Sequence, residues 1–147
     1  MPTEAELMPA KVLVVDANIR HCLLYRMEME AQGYEVVCAH NGCEALKQLQ
    51  NRRFDVAVVD VILPDIKGTD LIKKIVTKRR NDDGYHLPII VNTSYPYPKQ
   101  QTLRWSADAF ILKSSNLDEL MGKVTLFSKQ QYQRRQAGLG AVEMNFS

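Results

Sequence analysis

Two rhythms of apolar and polar residues take turns along this chain. Residues 11–15 (KVLVV) form a short continuous apolar run that stops at Asp16, the pattern of a strand buried on both faces. From Ile19 to Gln32 the spacing changes to three and four, with Leu24, Met27 and Ala31 expected inward, and Gly33 stands where a helix C-terminus favours a left-handed residue. Residues 34–39 (YEVVCA) read as a second strand, Asn41-Gly42 as a turn signal, and Ala45, Leu46 and Leu49 as a short helix. A third strand at 56–59 ends at Asp60, followed by the loop LPDIKG and a helix from about Thr69 with Leu71, Ile72, Ile75 and Val76 inward.

The fourth strand is expected at 89–91. Pro96 and Pro98 then confine any fourth helix to roughly 98–105, because a proline inside a helix lacks the donor and clashes with the preceding turn. Residues 109–112 (AFIL) supply a fifth strand, and Asn116 with Glu119 three residues later is a capping-box pattern opening a last helix through about Phe127. Strands alternating with helices over short links imply a parallel sheet with helices on both faces, since right-handed crossovers leave few other solutions. The expected fold is therefore doubly wound α/β. Residues 1–9 are expected to be a flexible N-terminus, 10–127 the domain, and 128–147 an extension that continues the last helix or is disordered.

Composition changes this picture little. With 46% hydrophobic and 24% charged residues in 147, the chain can bury a core of its own, and disordered or fibrous classes are disfavoured. A net charge of +2 is too small to suggest nucleic-acid binding, and the stretch after the fifth unit is too short for a helix-turn-helix. The segment MPTEAELMPA resembles no targeting signal, and no run reaches the roughly 18 apolar residues of a membrane span. Cys22, Cys38 and Cys43 are odd in number and lack CxxC pairs, so reduced, mostly buried thiols in a cytoplasmic protein are expected.

The candidate chemistry lies at the strand ends, because ligands of open parallel sheets bind beyond the carboxyl ends of the strands. Asp16, Asp60, Thr93 and Lys113 terminate four different strands, so two carboxylates, a hydroxyl and an ammonium are expected to converge on one edge. Two carboxylates with backbone carbonyls suit Mg²⁺, which takes one or two carboxylates along with phosphate oxygens and water. Lysine suits a phosphoryl group as a point charge. A carboxylate attacking phosphorus there would form an aspartyl phosphate. His21, His40 and His86 show no metal-ligand spacing and read as incidental. The basic run Lys73, Lys74, Lys78, Arg79 and Arg80, with Arg134 and Arg135, reads as solvated helix surface.

The blocks KVLVVDAN, GYEVVCAHNGCEAL, FDVAVVDVILPDIKG, LPIIVNTS and ADAFILK, in this order over about residues 10–127, resemble the receiver domains of two-component response regulators. The resemblance implies a flavodoxin-like five-stranded sheet of order 2-1-3-4-5 and a signalling switch rather than an enzyme. It implies Asp60 as phospho-acceptor, Asp16 as an acidic neighbour, and Asp16, Asp60 and the Ile62 carbonyl as Mg²⁺ ligands. Lys113 would pair with the phosphoryl group, and Thr93 with Phe110 would form the hydroxyl and aromatic switch pair. It also implies a histidine kinase or phosphotransfer protein as donor, an unidentified downstream protein as target, and a stand-alone monomer or weak homodimer.

Three departures from the family pattern carry expectations. Ala17 stands where a second acid usually follows Asp16, so metal affinity should fall. Ser114 replaces the proline that usually follows the lysine, so the bond before it should be trans and Lys113 aimed differently. The 93–110 stretch is short and carries Tyr95, Tyr97 and Trp105, of which Tyr97 and Trp105 read as either partner anchors or core cover, and Lys67 replaces a common acid. Two alternatives follow: a degenerate receiver that binds partners without phosphorylation, and, more remotely, a haloacid-dehalogenase-type phosphatase suggested by Asp16-x-Asn18.

Overall fold

The computed structural model describes residues 10–81, 86–102 and 105–146; the N-terminal segment 1–9 lies outside them. Five strands, β1 (Lys11–Val15), β2 (Glu35–Ala39), β3 (Val56–Val59), β4 (Ile89–Thr93) and β5 (Ala109–Leu112), form one parallel sheet of order β2-β1-β3-β4-β5. Between and after them run α1 (Ile19–Ala31), α2 (Gly42–Asn51), α3 (Gly68–Asn81), the single turn α4 (Lys99–Thr102) and α5 (Asp118–Phe146). This is the doubly wound α/β architecture and strand order expected from the sequence.

Successive strand side chains point to opposite faces, so each apolar strand feeds two cores. Leu13, Val15, Ala57, Val59, Ile89 and Val91 pack under α2 and α3 with Ala45, Leu71, Ile72 and Ile75. Val12, Val14, Val56, Val58 and Ile90 pack on the other face with Cys22, Tyr25 and Met29 of α1 and Leu120, Val124 and Phe127 of α5. That placement corrects the expected inward face of α1. Leu24 and Met27 are 45% and 61% exposed and Ala31 is exposed, because α1 carries apolar residues on both faces and the sheet takes the face with Cys22, Tyr25 and Met29.

Local signals explain several boundaries. Asn18 caps α1 by accepting from the Arg20 and His21 amides, and Gly33 beyond its end has φ +94°, as its place in the sequence suggested. The fourth helix is one turn long, as the two prolines require. The entry to α5 differs from a capping box: Asn116 Oδ1 accepts from the Asp118 amide at 2.9 Å, and the helix begins at Asp118. The same helix is 29 residues long and runs well past Phe127, and its middle turns are tied down. Gln131 donates to the His86 carbonyl and Arg135 pairs with Asp55, so Arg135 is not a merely solvated charge.

Among the described residues no helix is long and apolar enough to cross a membrane.

Candidate functional site

Each chemical side chain is delivered by the end of a strand. β1 stops at Asp16, whose amide donates to the Ala39 carbonyl (3.0 Å), and β3 stops at Asp60, whose amide donates to the Val15 carbonyl (2.8 Å). The two aspartates thus sit side by side at the carboxyl edge of neighbouring strands, 3% and 7% exposed. Lys113 follows β5, and its amide donates to the Thr93 carbonyl at 2.7 Å, which joins the ends of β4 and β5.

The lysine reaches back across the edge. Its Nζ lies 2.6 Å from Asp16 Oδ2, 2.7 Å from Asp60 Oδ2 and 3.0 Å from His21 Nδ1. An ammonium has three hydrogens and only donates, so all three are used, His21 Nδ1 accepts, and the imidazole proton sits on Nε2. The 3.8 Å approach of His21 Nδ1 to Asp16 Oδ2 reflects their shared ammonium rather than a bond of their own. Burial pulls the Lys113 pKa down, but hydrogen bonds to Asp16 and Asp60 outweigh it, so the ammonium is held above the ordinary lysine value. The other carboxylate oxygens take backbone donors: Asp16 Oδ1 accepts from Asn18 N (2.8 Å) and Asp60 Oδ1 from Ile62 N (3.1 Å).

The loop after Asp60 is fixed by backbone contact and by a carboxylate. At Gly68 any Cβ would fall 2.2 Å from the Val61 Cα, so only glycine lets α3 start this close to the residue after Asp60. Asp65 accepts from the Gly42 and Cys43 amides (2.8 and 2.9 Å) at the start of α2, and those donors hold its carboxyl below the usual carboxylate range. Ile62, whose carbonyl was the expected third metal donor, lies in this loop and is 55% exposed.

The structure brings Asp16, Asp60 and Lys113 together and sets Thr93 and Phe110 on the flank. Thr93 is buried, and its Oγ1 accepts from the Tyr95 amide at the long distance of 3.5 Å. Phe110, paired in register with Val91, is half-buried 6.1 Å from Trp105. Trp105 meets Tyr97 edge-on at 4.8 Å and is 8% exposed, so of the two readings it takes core cover, while Tyr95 is 55% exposed. Ser114 does not misdirect the lysine: the described residues contain no cis peptide, yet Lys113 still reaches Asp60. Lys67 is exposed on the loop, where Lys67 and Ile62 form an isolated antiparallel bridge.

His21 is the residue that sequence reasoning missed. It lies in the first turn of α1, five residues after Asp16 in sequence but 92 residues from Lys113, and only the βα connection shows that this turn overhangs the pocket. A usable signal was present, since first-turn residues of helices that follow strand ends border the crevice.

Two carboxylates against one ammonium and a neutral imidazole leave one uncompensated negative charge in a largely buried setting. The donors therefore suit a cation, and Asp16, Asp60 and the Ile62 carbonyl fit Mg²⁺ in kind. Ala17 provides no carboxylate, and Lys113 already occupies both Oδ2 atoms, so the fit is that of a loosely held ion.

Comparison with known proteins agrees with this geometry. The polar-differentiation response regulator DivK of Brucella anthropi is 33% identical over 88 residues, 60% of this chain and 69% of DivK. The CAI-1 autoinducer sensor kinase/phosphatase CqsS of Vibrio cholerae is 31% identical over 127 residues, 84% of this chain but only 18% of CqsS. Among solved structures, TrrA of Thermotoga maritima, crystallised with Mg²⁺-BeF, superposes with a TM-score of 0.72 at 32% identity, covering 80% of this chain and 98% of TrrA. TrrA has also been solved bound to the histidine kinase ThkA, and there matches with a TM-score of 0.71 over 80% of this chain and 97% of that one. The response regulator receiver domain profile matches residues 12–125, and with strand order, acidic pocket and lysine all in agreement, this chain belongs to that family, the receiver domains of two-component systems.

Proposed function

We propose that Asp60 accepts a phosphoryl group from a histidine kinase or phosphotransfer protein, and that the phosphorylated domain switches a protein partner. The observation that carries this reading is the Asp60 carboxylate, at the carboxyl edge of the sheet beside Asp16 and 2.7 Å from the Lys113 ammonium. Crystallisation of TrrA with Mg²⁺-BeF and with a histidine kinase supports the same chemistry.

In the proposed transfer an Asp60 carboxylate oxygen attacks the phosphorus of a phosphohistidine. The P–O bond forms, the P–N bond breaks, and the donor imidazole leaves with the electron pair. Lys113 would exchange one of its carboxylate partners for a phosphoryl oxygen, while Asp16 and His21 hold its remaining hydrogens and fix its direction. Mg²⁺ held by Asp16, Asp60 and the Ile62 carbonyl would neutralise charge on the transferring oxygens. Thr93 and Phe110, on neighbouring strands, would carry the change to the face with Tyr95 and Tyr97. Residues 10–127 would form the receiver unit and 128–147 its extension.

The test is intact mass after incubation with acetyl phosphate and Mg²⁺. Wild type should gain one phosphoryl group, and Asp60→Asn should gain none. A second reading, a receiver that binds its partner without phosphorylation, is favoured by one observation: Lys113 and backbone amides already satisfy every oxygen of both carboxylates. An adduct absent from wild type but present in Ala17→Asp would select that reading.

A further inference from the structure

Two thiols meet where α1 packs on the sheet's edge strand. Cys22, in the first turn of α1, is buried, and Cys38 lies half-buried on β2. Cys38 Sγ lies 3.7 Å from the Cys22 carbonyl oxygen, so the strand thiol packs directly on the residue that bears the helix thiol. Cys22 Sγ in turn lies 3.2 Å from the Asp16 carbonyl oxygen, to which it donates. His40 Nδ1 stands 3.6 Å from that sulfur and 3.3 Å from the same carbonyl. One packed group therefore joins an edge-strand thiol, a buried thiol and the backbone of an acidic-pocket residue.

The two sulfurs are unequal. Contact with the Cys22 side chain, helped by Arg26 and His40, draws the Cys38 thiol down to about 7, so much of it is thiolate at neutral pH. The neighbouring Cys38 and burial push the Cys22 thiol up. Cys38 is thus the partly accessible nucleophile, and Cys22 is a protonated thiol shielded from solvent. This pairing of an attacking with a resolving cysteine is the arrangement that reversible thiol oxidation requires.

We infer that Cys22 and Cys38 form a peroxide-sensitive dithiol that closes to a disulfide beside the acidic pocket. The Cys38 thiolate attacks one oxygen of hydrogen peroxide, the O–O bond breaks, and hydroxide leaves to become water, giving a sulfenic acid. The Cys22 sulfur then attacks the Cys38 sulfur, the S–S bond forms, the S–O bond breaks, and water leaves with the Cys22 proton. One peroxide is reduced to two waters as two thiols lose two electrons. Closure removes the Cys22 hydrogen from the Asp16 carbonyl, so oxidation reaches the acidic pocket through its backbone. The thiol chemistry itself is independent of whether Asp60 is phosphorylated.

The test uses the full chain carrying Cys43→Ser, which removes the exposed third thiol. After hydrogen peroxide at neutral pH and iodoacetamide quenching, the intact mass should fall by two hydrogens with no alkylation. A peptide map should contain Cys22 joined to Cys38, and dithiothreitol should restore both thiols. Dimedone present during oxidation should tag Cys38, most heavily in Cys22→Ser, and the parent chain gives the same readout at short times if that variant folds poorly. Iodoacetamide without peroxide should modify Cys38 at least about tenfold faster than Cys22. Oxidation of Cys38 to sulfinic or sulfonic acid while Cys22 stays alkylatable would overturn the inference, as would two thiols unchanged by peroxide.

Discussion

β3 carries a buried aspartate at each end, and the two lead different lives. Asp55, 3% exposed, precedes the strand; its Oδ2 accepts from the Lys11 amide at 2.7 Å and its Oδ1 pairs with Arg135 of the long last helix. Asp60, 7% exposed, follows the strand and shares a lysine ammonium with Asp16 and His21. Both carboxylates are buried and both are paired with a cation, though Arg135 is 60% exposed and Lys113 only 9%. What differs is the setting: Asp55 clasps β1 and α5 at the amino edge, whereas Asp60 faces the crevice that parallel sheets leave open at the carboxyl edge. A buried, charge-paired carboxylate is therefore no mark of chemistry by itself; the edge of the sheet on which it sits is what separates the two.

Removing the shared cation should break the comparison most forcefully. Lys113→Met leaves two adjacent buried carboxylates uncompensated and should cost about 3 kcal/mol in urea denaturation at neutral pH. The lysine also sets a sign: its pKa is raised on folding, so its contribution is fully present below the unfolded lysine value and is lost as pH rises through the folded one. Wild-type stability should thus fall with pH above about 10.5, more steeply than that of Lys113→Met.

At the other end, Asp55→Ala removes the acceptor for the half-buried Lys11 amide and should cost about 2 kcal/mol, with the phosphoryl adduct retained by the folded protein. The contrast sharpens if Asp60→Asn loses the adduct yet changes stability less than Asp55→Ala. Smallest of all, Arg135→Ala should cost at most about 0.5 kcal/mol, since that side chain is 60% exposed and solvent screens the pair.

Much of this was legible in the sequence because buried parallel strands are unbroken apolar runs whose last residue announces the crevice. KVLVV before Asp16 and VAVV before Asp60 are such runs, and the site followed from them. The face of α1 was not legible, since Leu23, Leu24 and Met27 offer the solvent side as much apolar surface as Cys22, Tyr25 and Met29 offer the core. Nor was the role of His21, Asp55 or Arg135: their partners lie 92, 44 and 80 residues away, and no local period encodes contacts of that reach. The cysteines were expected to be small buried hydrophobes, which Cys22 is; Cys38 packs against it from the neighbouring strand, and Cys43 is exposed.

The last helix has a mechanical consequence. Its 29 residues correspond to about 43 Å of rise, against about 17 Å for a five-residue strand of the sheet it packs on. It begins five residues after Lys113, with Gln131 and Arg135 clasping its middle turns to the amino edge. The helix is thereby a lever with arms of similar length on either side of the clasp: a tilt of about 5° there would sweep its far end by roughly 2 Å.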